Sequence, residues 1–150
     1  MDKKKNEINI INRKARFEYH ILESFNAGMV LQGTEIKSIR EGNINMTEAY
    51  CLIDENGIVL KNMHISEFKN GGHYNHAPLR DRRLLLKKRE INKIKEALKE
   101  RGVTLIPLRL FSGERGYAKL EIAIAKGKKN FDKREDIKQK DIEREMKRFV

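Results

Sequence analysis

The sequence predicts a mainly β protein with helices, folded as one small antiparallel barrel. Three pairs of segments alternate apolar and polar side chains around turn-forming residues, which is typical of β-hairpins. Two further stretches repeat apolar residues at helical spacing. With 150 residues, the chain is long enough for one domain with its own core, and it has no apolar run of about 18 residues that would span a membrane.

The first hairpin and a short helix are expected within residues 17–42. Apolar and polar residues alternate from Phe17 to Ile21, and the strand pattern resumes after an expected turn at Asn26-Ala27-Gly28. A helix is then predicted from Thr34, whose side chain can cap it, to Gly42, which ends it.

The second hairpin surrounds an Asn-Gly pair, which is a strong turn signal because both residues tolerate positive φ. Its strands are predicted at Ala49–Ile53 and Ile58–Ile65. A polar, glycine-rich loop follows at residues 67–76. This part of the chain therefore predicts two paired strands and a long connection.

The last third of the barrel region combines a long helix and a third hairpin. Apolar residues at helical spacing predict the helix over Lys87–Arg101, with Gly102 as its stop. The hairpin pairs Val103–Phe111 with Tyr117–Ala125, and Pro107 predicts an edge or a bulge. Three hairpins in one small domain favour an OB-like closed barrel, although sandwiches and rolls share the pattern.

Charge indicates a polyanionic partner. Lys and Arg number 33 against 22 Asp and Glu, a formal charge of +11, which favours nucleic acid first and an anionic membrane surface second. The last 25 residues hold ten Lys/Arg against six Asp/Glu, with Ile142, Met146 and Phe149 as a thin apolar stripe. We expect this tail to be disordered in the free protein and to become helical on a partner.

Four segments resemble those of the SsrA-binding protein family, also called small protein B, in the same order and at similar spacing. They are NRKARFEY (Asn12–Tyr19), GTEIKSIREG (Gly33–Gly42), NHAPLRDRRLLL (Asn75–Leu86) and KGKKNFDKRE (Lys126–Glu135). Short basic strings recur by chance, but four in register over nearly the whole chain are a specific signal. The resemblance runs from about Ile8 to the end.

The resemblance implies an RNA-binding protein of trans-translation. Residues 1–130 would form an OB-like barrel with three helices, which grips the tRNA-like domain of transfer-messenger RNA (tmRNA). Residues 131–150 would form the tail, which becomes helical in the empty message channel and decoding centre of a stalled bacterial ribosome. Through the shared RNA, the partners would include elongation factor Tu (EF-Tu) and alanyl-tRNA synthetase.

The motifs also supply candidate contact residues. Lys and Arg provide charge and planar donors for phosphates, while Glu, Asn and His can hydrogen-bond base edges or the 2′-OH. The predicted tmRNA-binding residues are Asn12, Arg13, Lys14, Glu35, Lys37, Asn75, His76, Arg80, Arg82 and Arg83. For Glu35 the alternative is an acid that stabilises the first turn of a helix by about 0.3 to 1 kcal/mol. For Arg80, Arg82 and Arg83 the alternative is that they belong to an ordinary solvated surface.

The tail supplies the candidate ribosome contacts. They are Lys126, Lys128, Lys129, Phe131, Asp132, Lys133, Arg134, Ile142 and Met146. Phe131 would stack on a base of the decoding centre, a contact of about 1 to 3 kcal/mol, or else pack back onto the barrel. Ile142 and Met146 would anchor the induced helix.

Other classes of function have weaker support. His73 and His76 have a spacing that suits one metal, but no further ligands accompany them, so no metal or cofactor is expected. No catalytic motif is recognisable, which predicts a protein that is not an enzyme. A general single-strand binder and a peripheral membrane protein remain as alternatives. The single cysteine and the absence of a signal-peptide pattern predict a cytoplasmic protein.

Overall fold

The computed structural model describes residues 7–148 of the chain. This part contains nine β-strands and four α-helices. The strands are β1 (Asn9–Ile11), β2 (Tyr19–Met29), β3 (Ile44–Asn45), β4 (Tyr50–Asp54), β5 (Gly57–Lys61), β6 (His64–Ile65), β7 (Arg82–Leu85), β8 (Val103–Ser112) and β9 (Ala118–Gly127). The helices are α1 (Arg13–Glu18), α2 (Gly33–Arg40), α3 (Lys88–Ala97) and α4 (Asn130–Arg148).

Six of the strands form a closed ring of antiparallel neighbours in the order β8-β4-β5-β7-β2-β9, because β9 pairs with β8 again. β1 extends the ring outside β8, and β3 pairs with β6 as a separate ribbon. The shortest pairing in the ring is between β4 and β8, where the register joins Cys51 to Leu105. The predicted OB-like barrel with three helices and a tail is therefore confirmed, with α1, α2 and α3 as the helices of the barrel domain.

The first predicted hairpin is wrong, because one uninterrupted strand replaces it. β2 runs through the expected turn at residues 26–28 and pairs with β9 along almost its whole length. Ala27 is fully buried, and a Cβ added to Gly28 would lie 3.3 Å from the Cβ of Leu85 on β7. The glycine thus permits close approach of two strands rather than a turn. The expected start of the hairpin, at Phe17, belongs to α1.

The other two hairpins are confirmed, but the strand predicted at Ile58–Ile65 is divided: β5 ends at Lys61, Asn62 has a φ of +59°, and β6 pairs with β3. β4 and β5 pair around the Asn-Gly turn, where Gly57 has a φ of +121°. β8 and β9 pair from Val103 to Ser112, and their register shifts at Pro107, where the sequence predicted an edge or a bulge. Gly102 has a φ of +85° and follows α3, which ends at Ala97, sooner than predicted.

The core fills the interior of the ring and continues under α1. Its main cluster includes Phe25, Ile58, Leu60, Leu120 and Ile122, all of which are buried. A smaller cluster packs α1 against β8 and β9 and consists of Ala15, Ile106, Leu108, Ala123 and Ala125. This second cluster fixes α1, and with it the first basic motif, on the outside of the barrel.

Candidate nucleic-acid interface

A buried ion-pair network joins α2 to the start of β7. Glu35 has no exposed surface, and its two carboxylate oxygens accept hydrogen bonds from Arg80 Nη2 at 2.5 Å and Arg82 Nε at 2.6 Å. Its Oε1 also accepts from the backbone N–H of Gln32 at 2.8 Å. Arg82 is fully buried and donates further to the carbonyl oxygens of Met63 and Pro78. All polar atoms at the centre of this network therefore face other protein atoms.

Hydrogen bonds keep Glu35 charged inside the protein. Burial alone would raise the pKa of Glu35, but the hydrogen bonds from Arg80, the Gln32 amide and Arg82 outweigh it and hold the pKa below its ordinary value. Burial in turn lowers the pKa of Arg82. The pair is consequently an internal ion pair, whose removal from water is compensated by good geometry.

The stability of the fold should depend on the charge of Glu35. Because its pKa is lower in the folded state, its stabilisation is fully present above the ordinary glutamic acid pKa of roughly 4.3 and is lost as the pH falls through the folded value. We expect the melting temperatures of the wild type and Glu35→Gln to differ by a constant amount near neutral pH and to converge in acid. Thermal melts from neutral pH down to about pH 3 measure this, and a gap that stays constant into acid would contradict it.

The glycine-rich loop is held against α2 by specific hydrogen bonds. His76 is buried, donates from Nε2 to the Ile65 carbonyl oxygen at 2.8 Å and accepts at Nδ1 from the Thr34 hydroxyl at 2.9 Å. The Asn75 side chain bonds both backbone groups of Phe68, at 2.9 and 2.7 Å. The loop therefore has a defined shape beside α2.

Cationic side chains surround this network on the outside. Lys37 lies 5.2 Å from the centre of the Phe68 ring, and the Arg80 side chain is 28% exposed. Arg83 points away from the network and forms a two-bonded ion pair with Asp54, at 2.7 and 3.0 Å. The structure thus brings the second and third predicted motifs together, with Lys37 and Arg80 at the surface.

The first motif forms a separate site on α1. Asn12 is buried and caps the helix by accepting from the Ala15 N–H, while its amide group donates to the Pro107 and Met46 carbonyl oxygens. Arg13 and Lys14 are exposed, and Lys14 pairs with Glu48 at 2.6 Å. A groove of about 350 Å³ between α1 and β4 contains Lys14 but also Glu18 and Glu48.

Four of the ten predicted RNA contacts are therefore buried in the structure: Asn12, Glu35, His76 and Arg82. Each has hydrogen-bond partners inside the protein and therefore a structural role; only for Glu35, which lies in the first turn of α2, did the sequence offer such a role as the alternative. Their direct contact with RNA stays a prediction, and it would require these internal bonds to break. The six others retain exposed surface or lie at intermediate depth.

The tail is helical in the structure, whereas the sequence predicted disorder in the free protein. Two contacts hold its first turns: Lys128 pairs with Asp136, and His20 Nε2 lies 3.1 Å from Asp132 Oδ2. The hydrogen bond from His20 lowers the pKa of Asp132. The role of His20 was missed because it lies far from Asp132 in the sequence.

α4 faces α1 across a groove, and its apolar side chains are exposed. The groove has a volume of about 470 Å³ and is lined in part by Arg13, Phe17, Asp136 and Glu143. Phe131, Ile142 and Met146 are exposed, at 66%, 44% and 66%, so the predicted apolar anchors face solvent. Lys126, near the end of β9, pairs with Glu100. Lys129, Lys133 and Arg134 lie just before α4 or in its first turns. Phe149, the last member of the predicted stripe, lies outside the described residues.

The described residues offer neither a metal-binding cluster nor a helix that could cross a membrane. Within residues 7–148, no group of three or more His, Cys, Asp or Glu side chains is arranged to hold a metal ion. None of the helices in that range is long and apolar enough to cross a membrane.

Comparison with known proteins establishes the family. A family model described as SmpB protein matches residues 9–150. The SsrA-binding protein of Cytophaga hutchinsonii is 57% identical over 142 residues, which cover 95% of this chain and 93% of that protein. The SsrA-binding protein of Geobacillus thermodenitrificans is 52% identical over 137 residues, covering 91% and 88%.

A solved structure agrees with these sequence matches. It is described as "tmRNA-SmpB: a journey to the center of the bacterial ribosome", and its matching chain superimposes with a TM-score of 0.69 at 36% identity, covering 86% of this chain and 94% of that one. The resemblance seen in the four motifs is confirmed, and the chain belongs to the SmpB protein family.

Proposed function

We propose that this chain binds tmRNA, also called SsrA RNA, and delivers it to stalled bacterial ribosomes for rescue and peptide tagging. The observation that carries the proposal is the likeness, over 86% of this chain, to a chain solved as tmRNA-SmpB in the bacterial ribosome. The relatives with up to 57% identity are SsrA-binding proteins, which supports the same RNA. The role is one of binding and delivery rather than catalysis, and it places the protein in the cytoplasm with the ribosomes.

The barrel geometry supports an RNA footprint of fixed shape. The Glu35 network and the His76 hydrogen bonds tie α2, the glycine-rich loop and β7 into one unit. Lys37 and Arg80 lie at the surface of that unit and would contact phosphates, while the buried members hold it in place. A prearranged surface loses little conformational entropy on binding, which favours a partner of defined shape such as a tRNA-like fold.

The tail serves the second partner, the ribosome. We infer that α4 leaves α1 and enters the message channel, where Phe131 stacks on a base and the basic root contacts ribosomal RNA. The exposure of Phe131 at 66% supports this, since the ring is not committed to the barrel. Elongation factor Tu and alanyl-tRNA synthetase would join through the shared RNA.

A binding comparison tests the proposal. Full-length protein is titrated by gel shift against the tRNA-like domain of tmRNA, an ordinary tRNA and a single-stranded oligomer of equal length. We expect the tightest binding to the tRNA-like domain, with log K falling against log salt by about 0.7 to 0.9 per phosphate contacted. Equal affinity for the oligomer would instead indicate a general single-strand binder, and a flat salt response would contradict an RNA footprint.

A further inference from the structure

An apolar groove with a cationic rim lies at one end of the barrel and includes residues of the second and third motifs, Ile36, Arg40 and Leu85, that were not predicted to contact RNA. Its volume is about 510 Å³, and it lies between α2, the paired strands β2 and β7, and the turn from β8 to β9. Met29, Leu31, Ile36, Leu85 and Tyr117 provide its apolar surface. None of the predicted RNA contacts lines it.

The charges around this groove have one sign. Arg40, Arg115 and Lys119 line it, and no Asp or Glu does. None of the three cations forms an ion pair with another residue in the described range 7–148. By contrast, the groove between α1 and β4 contains two acids, and so does the groove between α1 and α4. The electrostatics here therefore favour an anionic occupant.

Two large apolar side chains of this groove are accessible to a ligand. Tyr117 is 68% exposed and Leu85 is 58% exposed. Leu85 lies against Gly28 of the neighbouring strand, and the Tyr117 ring borders the same groove. An exposed aromatic ring beside aliphatic side chains can stack on a planar ligand.

The turn that carries Arg115 and Tyr117 has a defined, strained conformation. The Gly113 N–H donates to the Tyr117 carbonyl oxygen at 2.7 Å, and the Gly116 N–H donates to the Gly113 carbonyl oxygen at 3.2 Å. Arg115 has a φ of +61°, which is uncommon for a residue other than glycine. The aliphatic part of Lys119 lies so close to Gly113 that an added Cβ would be 2.7 Å from its Cγ. The turn therefore holds Arg115 and Tyr117 in defined positions beside the groove.

We propose that this groove binds one unpaired nucleotide of the RNA partner, with the base stacked on Tyr117 and the adjoining phosphates held by Arg40, Arg115 and Lys119. The inference rests on the proposed function and adds a site to it. An unpaired nucleotide combines a planar apolar face with an anion, and the groove volume lies within the range of small-ligand pockets. The tail occupies a different place in the structure: α4 lies beside α1, and its root at Gly127 is separated from Ala118 in this groove by about 30 Å of β9.

A single-tryptophan variant tests the stacking directly, because the chain contains no tryptophan. We expect the fluorescence of Tyr117→Trp to be quenched by the tRNA-like domain of tmRNA, with the same half-saturation as the gel shift. Ile137→Trp, at an exposed tail position, is the control and should not be quenched. If the gel shift shows binding but Tyr117→Trp is not quenched, the groove is not the site; if the gel shift shows no binding, the proposed function itself fails.

Affinity and salt dependence supply the second measurement. Tyr117→Ala should weaken binding about 5- to 150-fold, while Tyr117→Phe, which keeps the ring, should bind nearly as the wild type does. Arg40→Ala should reduce the salt slope by about 0.7 to 0.9. The matched control is Lys95→Ala, which removes an exposed cation from the last turn of α3 as Arg40→Ala does from α2. Equal effects of Arg40→Ala and Lys95→Ala would overturn the assignment of a phosphate to this groove.

Discussion

Replacing Glu35 by glutamine is expected to lower the free energy of unfolding by about 3 to 5 kcal/mol, the usual cost of breaking a buried ion pair by removing one partner. The variant keeps the shape of the side chain but leaves two guanidinium groups without their counter-charge, and Arg82 is fully buried. Since small domains are stable by about 5 to 15 kcal/mol, this is a large share of the total. Urea unfolding near neutral pH measures the loss.

The matched control is Asp54→Asn, which makes the same chemical change in an exposed pair. Asp54 binds Arg83, the residue next to Arg82, and the two side chains are 43% and 34% exposed. Solvent screens such a pair, so we expect the control to lose far less stability than Glu35→Gln. Similar losses in Glu35→Gln and Asp54→Asn would show that burial does not set the strength of the Glu35 network.

Glu35→Gln also distinguishes a structural role of Glu35 from direct contact with RNA. Because the carboxylate is enclosed, we expect RNA affinity to fall only as far as the fraction of folded protein falls. Gel shifts at low temperature, where the variant remains folded, should then approach the wild-type affinity. A fully stable variant that loses RNA affinity would instead support the base contact that the sequence suggested.

Local patterns predict those elements of this fold whose signals lie within a few residues. The Asn-Gly pair gives the β4–β5 turn, and alternation gives β8 and β9. The same reasoning gave a wrong prediction for β2, where Gly28 suggested a turn. The structure requires glycine at this position because Leu85 of another strand lies against it. Glycine has both uses, and only the tertiary structure distinguishes them.

At the candidate site, too, the sequence predicts some features and not others. The structure brings the second and third motifs together, since α2, the glycine-rich loop and β7 meet around Glu35. The roles of single residues were not predictable, because arginine and glutamate are mostly exposed unless paired, and Glu35 and Arg82 are 47 positions apart. The contact between His20 and Asp132 spans 112 positions and has no local signal at all.

Removal of residues 131–150 is expected to abolish peptide tagging on stalled ribosomes while leaving the affinity for free tmRNA within about twofold. The removed segment holds seven Lys/Arg against six Asp/Glu, so the truncation changes the net charge by one unit and the electrostatic attraction of the barrel for RNA very little. Among the described residues, the barrel loses the contacts of α4 with α1 and β2 and the ion pair between Lys128 and Asp136. Tagging is measured by in vitro translation of a message without a stop codon, and RNA affinity by gel shift.

Point substitutions can show which residues of the tail are needed for tagging. Ile142 and Met146 lie four positions apart on α4 and are exposed, so they are free to bury surface on the ribosome, at about 1.5 to 3 kcal/mol each if fully covered. We expect the double variant Ile142→Asp with Met146→Asp to lose tagging while the melting temperature of the barrel and the affinity for tmRNA stay unchanged.

The control for the double variant is Lys138→Ala with Lys147→Ala, which changes the net charge by the same two units at exposed polar positions. This control should tag nearly as well as the wild type, because many other cations remain to attract ribosomal RNA. Equal losses in the two double variants would mean that charge, and not the apolar stripe, decides the final step. A truncated protein that also loses affinity for free tmRNA would contradict the division of work between barrel and tail.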